Sequence, residues 1–220
     1  MKPNRTDRLA CELAAYVRGC AHETRTDRAP HALRVQDGDF VLRESAAIVS
    51  YLADKYRGRG TIDLAPAPGT KVSNHVACRP SHDGFIRTRN PKARASYDSW
   101  MLYVMTEIDA QSLYIHRKHA GLPEVYGHAP AAVESARAYF DKGAAVLSRH
   151  LEENGPWMMG GSFSGVDIVL GFCLVWARAI GWFPDHDPTL QAYDTRLRAR
   201  PAFRRTFPET MSTSHPAPKL

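Results

Sequence analysis

Between residues 93 and 207, apolar side chains recur at steps of three and four, the period of helices that bury one stripe. Trp100, Met101, Val104, Met105, Ile108, Ser112 and Ile115 mark one long helix, which Gly121, Pro123 and Gly127 interrupt. Pro130 opens the next, whose face runs through Val133, Ala136, Phe140, Ala144, Leu147 and Leu151 until Gly155-Pro156 ends it. Ser164 and Asp167 then have the spacing of an N-capping box, with Phe163 and Ile168 placed as its hydrophobic staple. The helix after them is apolar almost all round, which marks a helix inside a bundle. Leu190, Tyr193 and Leu197 give another.

The pattern differs upstream. Residues 32–36 and 39–43 read as two short strands around Asp37-Gly38, a dipeptide suited to a tight hairpin turn. Glu44-Ser45 ends the second strand. Ser45 is a candidate N-cap, its hydroxyl accepting from a free N–H of the next helix. That helix carries the stripe Ile48, Val49, Leu52 and Tyr56. An earlier helix from Asp7 is expected on Leu9, Leu13, Tyr16 and Val17. Residues 57–71 are rich in Gly and Pro and read as a linker. Residues 72–91 show no sustained period and read as an atypical insertion, either an exposed loop or translated non-coding sequence. The expected division is 1–58, a small α/β unit; 59–92, linker and insertion; and 93–209, all helical.

Composition narrows the classes. A chain of 220 residues with 44% hydrophobic residues can bury a substantial core. Its net charge of +6 comes from arginines spread along the chain, so no nucleic-acid partner is expected. Cys11, Cys20, Cys78 and Cys173 form no C-x-x-C pair, which favours free thiols in a reducing compartment. The longest apolar run, 168–177, is too short to span a bilayer, and the N-terminus has no apolar signal region. A soluble cytoplasmic protein without a membrane partner is the expectation. His75, Cys78 and His82 lack a fourth zinc ligand, so no metal is expected. His116 and His119, one turn apart, read as surface residues.

The chemistry concentrates at Glu44-Ser45. Free N–H groups and the positive end of a helix dipole beside a hydroxyl suit a carboxylate, and the neighbouring acid suits an ammonium. Together these recognise an amino-acid head group. The run Glu44-Ser45-x-Ala47-Ile48-x-x-Tyr51-Leu52 after an Asp-Gly hairpin resembles the glutathione S-transferase family. The capped helix after Ser164 and the segment Arg200-Pro201-Ala202-Phe203 resemble later parts of the same family.

The resemblance implies an α+β fold class: a truncated thioredoxin-like domain followed by an all-α helical bundle. It implies glutathione as co-substrate, its γ-glutamyl head held by Glu44 and Ser45, with Leu33 beside the hairpin among the glutathione contacts. Thr106-Glu107 resembles a Thr-Glu pair of bacterial members, in which the acid reaches the partner subunit's glutathione. Tyr103 and Trp176 are candidates for the wall that holds a small hydrophobic electrophile. In the family a serine, cysteine or tyrosine after the first strand activates the thiol. Here only Thr6 offers a hydroxyl near that place, so the catalytic residue is unassigned. His31 stands where an ungapped match expects the family's cis-proline, with Pro30 beside it, and the first domain reads as abbreviated. A homodimer is implied. Two readings follow: a transferase that adds glutathione thiolate to electrophiles, or a non-catalytic binding protein of the same fold.

Overall fold

The computed structural model describes residues 34–56 and 91–208. The expectations for Thr6, Leu33, the early helix, the linker, the insertion, and His75, Cys78 and His82 lie outside these residues.

Strands β1 (Arg34–Asp37) and β2 (Phe40–Arg43) form an antiparallel hairpin in which Asp37 pairs with Phe40. The turn is therefore Gly38-Asp39, one residue later than the sequence suggested. Gly38 has φ +61°, and glycine at the first central position suits a primed hairpin turn. Moving the turn by one residue shifts the pairing by two, so each side chain keeps its face but gains a different partner across the hairpin. The observed register leaves Asp37 paired at the strand end, where its carboxylate accepts from Tyr51 and Lys55 of the following helix.

That helix, α1 (Ser45–Lys55), buries Ile48, Val49 and Ala53. It docks on α2 (Pro91–Tyr103) through polar contacts as well. The Ser50 and Tyr97 hydroxyls lie 3.3 Å apart, and Arg94 bridges Asp54 at 3.1 Å and Asp98 at 3.0 Å.

α2 runs on without a break into a π-helical stretch, Val104–Leu113, then α3 (Tyr114–His116) and a second π-helical piece, Arg117–Gly121. The three-and-four spacing located this helix but missed its widening, because the Ser112 hydroxyl and the Tyr114 N–H each bond a carbonyl five residues back. π-Helix is rare and occurs mostly as single turns, often at functional sites. After α4 (Pro123–Tyr126), α5 (Pro130–Asn154) packs along this helix. Gly143 allows the close approach: a Cβ there would stand 2.7 Å from the Ile108 Cδ1 atom.

α6 (Gly165–Ala179) is the central helix, with Val166, Val169, Leu170, Cys173, Leu174 and Ala177 buried. Its N-terminus has the expected capping box. The Asp167 carboxylate accepts from the Ser164 N–H at 2.7 Å, the Ser164 hydroxyl at 2.8 Å, the Met158 N–H at 2.9 Å and the Tyr193 hydroxyl at 2.8 Å. The staple residues are packed too, with Phe163 buried and Ile168 half-buried. α7 (Pro188–Ala199) is capped by Asp187, which accepts from the Thr189 and Leu190 N–H groups, each at 3.0 Å. α8 (Pro201–Thr206) closes the bundle.

Among the described residues, strands occur only within 34–43; an isolated bridge joins Trp157 and Gly160. The fold class expected from the sequence is the one observed, a small sheet with one helix and then a helical bundle. One apolar core, from Ile48 and Val49 through Tyr97, Ile108 and Phe140 to Leu174 and Tyr193, joins α1 to the bundle.

Candidate functional site

α1 begins differently from the sequence expectation. Glu44 is the N-cap and Ser45 is the first helical residue. The Ser45 hydroxyl caps nothing and instead lies 3.7 Å from the Met105 sulfur. The first helical bond runs from the Ile48 N–H to the Glu44 carbonyl, at 2.9 Å. The N–H groups before it have no acceptor within the helix. The first turn carries no acid, and no side chain caps it. An anion is therefore favoured at this end by both hydrogen bonding and dipole.

Glu44 has φ +68° and ψ 122°. Positive φ is uncommon outside glycine, and residues held there cost about 1–3 kcal/mol, so they cluster at binding sites. The sharp change from strand to helix forces the conformation, and it leaves the Glu44 side chain exposed beside the free amides. No sequence signal revealed this strain.

Met105 connects α1 to the π-helical stretch. Thr106 and Glu107 follow it. The Thr106 hydroxyl lies 2.9 Å from Glu107 Oε1 and 3.0 Å from the Leu102 carbonyl. The Tyr139 hydroxyl of α5 donates to Glu107 Oε2. The Tyr139 bond, with that of Thr106, holds the Glu107 carboxyl below its ordinary range, and the same pairing raises the Tyr139 phenol. Within the chain Glu107 thus engages α5, while Ser45 engages Met105.

Tyr103 is half-buried, its ring edge-on to Trp100 and its hydroxyl donating to the Gly143 carbonyl at 3.3 Å. Burial raises its phenol, so it is a poor source of a phenolate. Trp176 of α6 is half-buried against the core, 6.1 Å from the Phe172 ring. His116 departs from expectation: it is half-buried edge-on to Trp182, and burial lowers its basicity. His119 stays at the surface, its Nδ1 2.9 Å from the Gly127 carbonyl in an exposed contact. No group of three or more metal-ligating side chains occurs among the described residues. Among the same residues, no helix is long and apolar enough to cross a membrane.

Sequence reasoning missed Asp109. Its Oδ1 is buried and meets no hydrogen-bond donor, and burial pushes the carboxyl up to about 6 against the pull of Arg117.

The helical half carries the similarity to known proteins. Residues 130–205, which span α5 to most of α8, match the model of the glutathione S-transferase C-terminal domain. Over these residues the chain is similar to that domain, and the rest of the chain lies outside the match. A theta class glutathione S-transferase from Xanthomonas axonopodis pv. citri, in its apo form, is 25% identical, with 96% of this chain and 95% of that chain covered and a TM-score of 0.57. The same enzyme with glutathione bound is 25% identical, with coverage of 94% and 93% and a TM-score of 0.57. A glutathione transferase from Methylococcus capsulatus str. Bath shares the fold at 21% identity, with coverage of 92% and 95% and a TM-score of 0.59. No curated protein matches by sequence.

Proposed function

We propose that this chain is a glutathione S-transferase that binds glutathione at the start of α1 and transfers its thiolate to small hydrophobic electrophiles. The observation that carries the reading is Glu44-Ser45 at a helix N-terminus with free amides, Glu44 being held at φ +68°. The α-carboxylate of the γ-glutamyl group takes the amides and the Ser45 hydroxyl, which turns from the Met105 sulfur, a weak acceptor. The α-ammonium lies by Glu44. Leu33 supplies backbone contacts to the tripeptide. The related Xanthomonas enzyme, known with glutathione bound, supports this assignment.

Glutathione held this way keeps its sulfur for chemistry. With an aryl chloride the C–S bond forms, the C–Cl bond breaks and chloride leaves. The thiolate is the nucleophile, so whatever stabilises it raises the rate at neutral pH. Tyr103 and Trp176 belong to the wall that holds the electrophile. The thiol-activating group belongs to the first unit, where Thr6 is the candidate in this sequence.

The active form in this reading is a cytoplasmic homodimer of chains divided at 1–58, 59–92 and 93–209. Leu102, Tyr139 and Val146 are exposed at 62%, 42% and 42%. Tyr139 and Val146 share a face of α5, and Leu102 lies one turn before Thr106. In this reading Glu107, beside them, reaches the glutathione of the second subunit.

The test is calorimetric titration of glutathione into the full chain and into Ser45→Ala. A hydrogen bond to a charged group contributes about 1.5–3 kcal/mol, so the variant should bind roughly ten- to a hundredfold more weakly. Equal affinities would remove the ligand from α1. An absence of binding in the wild type would favour the non-catalytic reading.

A further inference from the structure

Two faces of the long helix lead to two different places. Met105 meets the Ser45 hydroxyl at the start of α1. Glu107, two positions on, lies across the helix from Met105, since residues two apart do not face the same way. Tyr103 and Glu107, four apart, do share a face, and that face meets α5 at Gly143 and Tyr139. Glu107 therefore turns away from the head-group site of its own chain. A glutathione that it serves belongs to a second copy.

Two hydroxyls constrain the Glu107 carboxylate. Tyr139 donates to Oε2, and the Thr106 hydroxyl lies 2.9 Å from Oε1. These bonds keep the carboxyl below its ordinary range, so it stays ionised, while the Tyr139 phenol, raised by the same pairing, stays a donor. The docking of α5 does not depend on this pair. Gly143 already admits Ile108 in the core, whereas an exposed polar pair contributes little to stability. What the Tyr139 bond supplies is direction, because it restricts a side chain that otherwise samples several rotamers. A carboxylate that accepts two bonds still has lone pairs for a further donor.

We propose that Tyr139 is a positioning residue for glutathione, holding Glu107 so that its carboxylate meets the α-ammonium of a glutathione bound to a second copy of this chain. It rests on the reading above in which Glu107 crosses between subunits. Tyr139 itself touches no ligand. Glu107, held beforehand, loses less rotamer freedom when the ammonium arrives, and that preorganisation is read as affinity.

The experiment titrates two ligands into the full chain by calorimetry: glutathione, and glutaryl-cysteinylglycine, which lacks only the α-ammonium. The variants are Tyr139→Phe, Glu107→Gln and the two together, with light scattering to compare the mass of each with that of the wild type. Tyr139→Phe should bind glutathione roughly two- to tenfold more weakly, the range of one hydrogen bond, and bind the deamino ligand as the wild type does. Adding Tyr139→Phe to Glu107→Gln should cost nothing further, because Tyr139 acts only through the Glu107 carboxylate. Equal losses for the two ligands would make Tyr139 a structural residue and overturn the proposal. Full glutathione affinity in Tyr139→Phe beside a weakened Glu107→Gln would also overturn it, and would leave the cross-subunit reading standing. Wild-type affinity in Glu107→Gln, or a monomeric wild type that binds glutathione, would defeat the cross-subunit reading and this proposal with it. No glutathione binding in the wild type would defeat the transferase reading as well.

Discussion

The Ser45 hydroxyl and the Met105 sulfur, sixty positions apart, meet at 3.7 Å. This contact sets the first residue of α1 against the point where the long helix widens from α to π. The head-group site and the helical domain are therefore positioned by one another, and polar and electrostatic effects at either can be tested through the other.

Ser45→Ala should leave thermal stability nearly unchanged. The hydroxyl caps no amide, and a thioether is a weak acceptor. A loss above about 0.5 kcal/mol in urea unfolding, beyond the usual range for substitutions away from key features, would restore the capping role.

Glu44→Gly should stabilise the fold and weaken glutathione binding. Glycine accepts φ +68° without steric cost, so relief of strain worth about 1–3 kcal/mol outweighs the roughly 0.5–1 kcal/mol of added chain entropy in the unfolded state. The ammonium loses its partner in the same variant. Thermal melts beside calorimetric titration check both halves. A melting temperature below wild type would show that the Glu44 side chain stabilises the helix start.

Asp109 should make stability depend on pH in an unusual direction. Burial raises its carboxyl from 3.8 to about 6, so the folded state holds the proton more tightly than the unfolded state. The favourable contribution is complete below pH 3.8 and is lost as pH rises through about 6. At about 1.36 kcal/mol per pH unit, the wild type at pH 7.5 gives up on the order of 3 kcal/mol. Asp109→Asn should accordingly be more stable than wild type at pH 7.5, by an amount that vanishes toward pH 4. Urea melts at the two pH values measure this, and a variant less stable at pH 7.5 would reveal a donor to the carboxylate.

Asp167→Ala should be severely destabilising. The substitution removes the acceptor of four bonds, from Ser164 N–H, Ser164 Oγ, Met158 N–H and Tyr193 Oη, all at the start of the central helix. The expected loss is about 3–5 kcal/mol, because several buried donors are left unsatisfied at roughly 1–3 kcal/mol each. Tyr193→Phe removes one of these bonds and should cost about 1.5–3 kcal/mol. Denaturant melts of the two variants should fall in that order.

The helical half was legible in the sequence because its signals are local. Phe140, Leu147 and Leu151 define the buried face of α5 by spacing alone, and Ser164 and Asp167 announce the start of α6 three residues apart. The Glu44-Ser45 pair could be located for the same reason, since a strand, a turn and a helix stripe follow one another within twenty residues. Other features depended on contacts that no local pattern encodes. The hairpin register was settled by Tyr51 and Lys55 reaching Asp37, which fixed the turn at Gly38-Asp39. The role of Ser45 was settled by packing against Met105, because a hydroxyl at the first helical position has no amide of its own to cap. The widening at Val104–Leu113 preserves the apolar stripe while changing the hydrogen-bond step, so spacing could not expose it. Asp109 read as one polar residue on a helix. Only the packing of the bundle, with Cys173 of α6 near enough to feel its charge, buried its carboxyl and left Oδ1 unpaired.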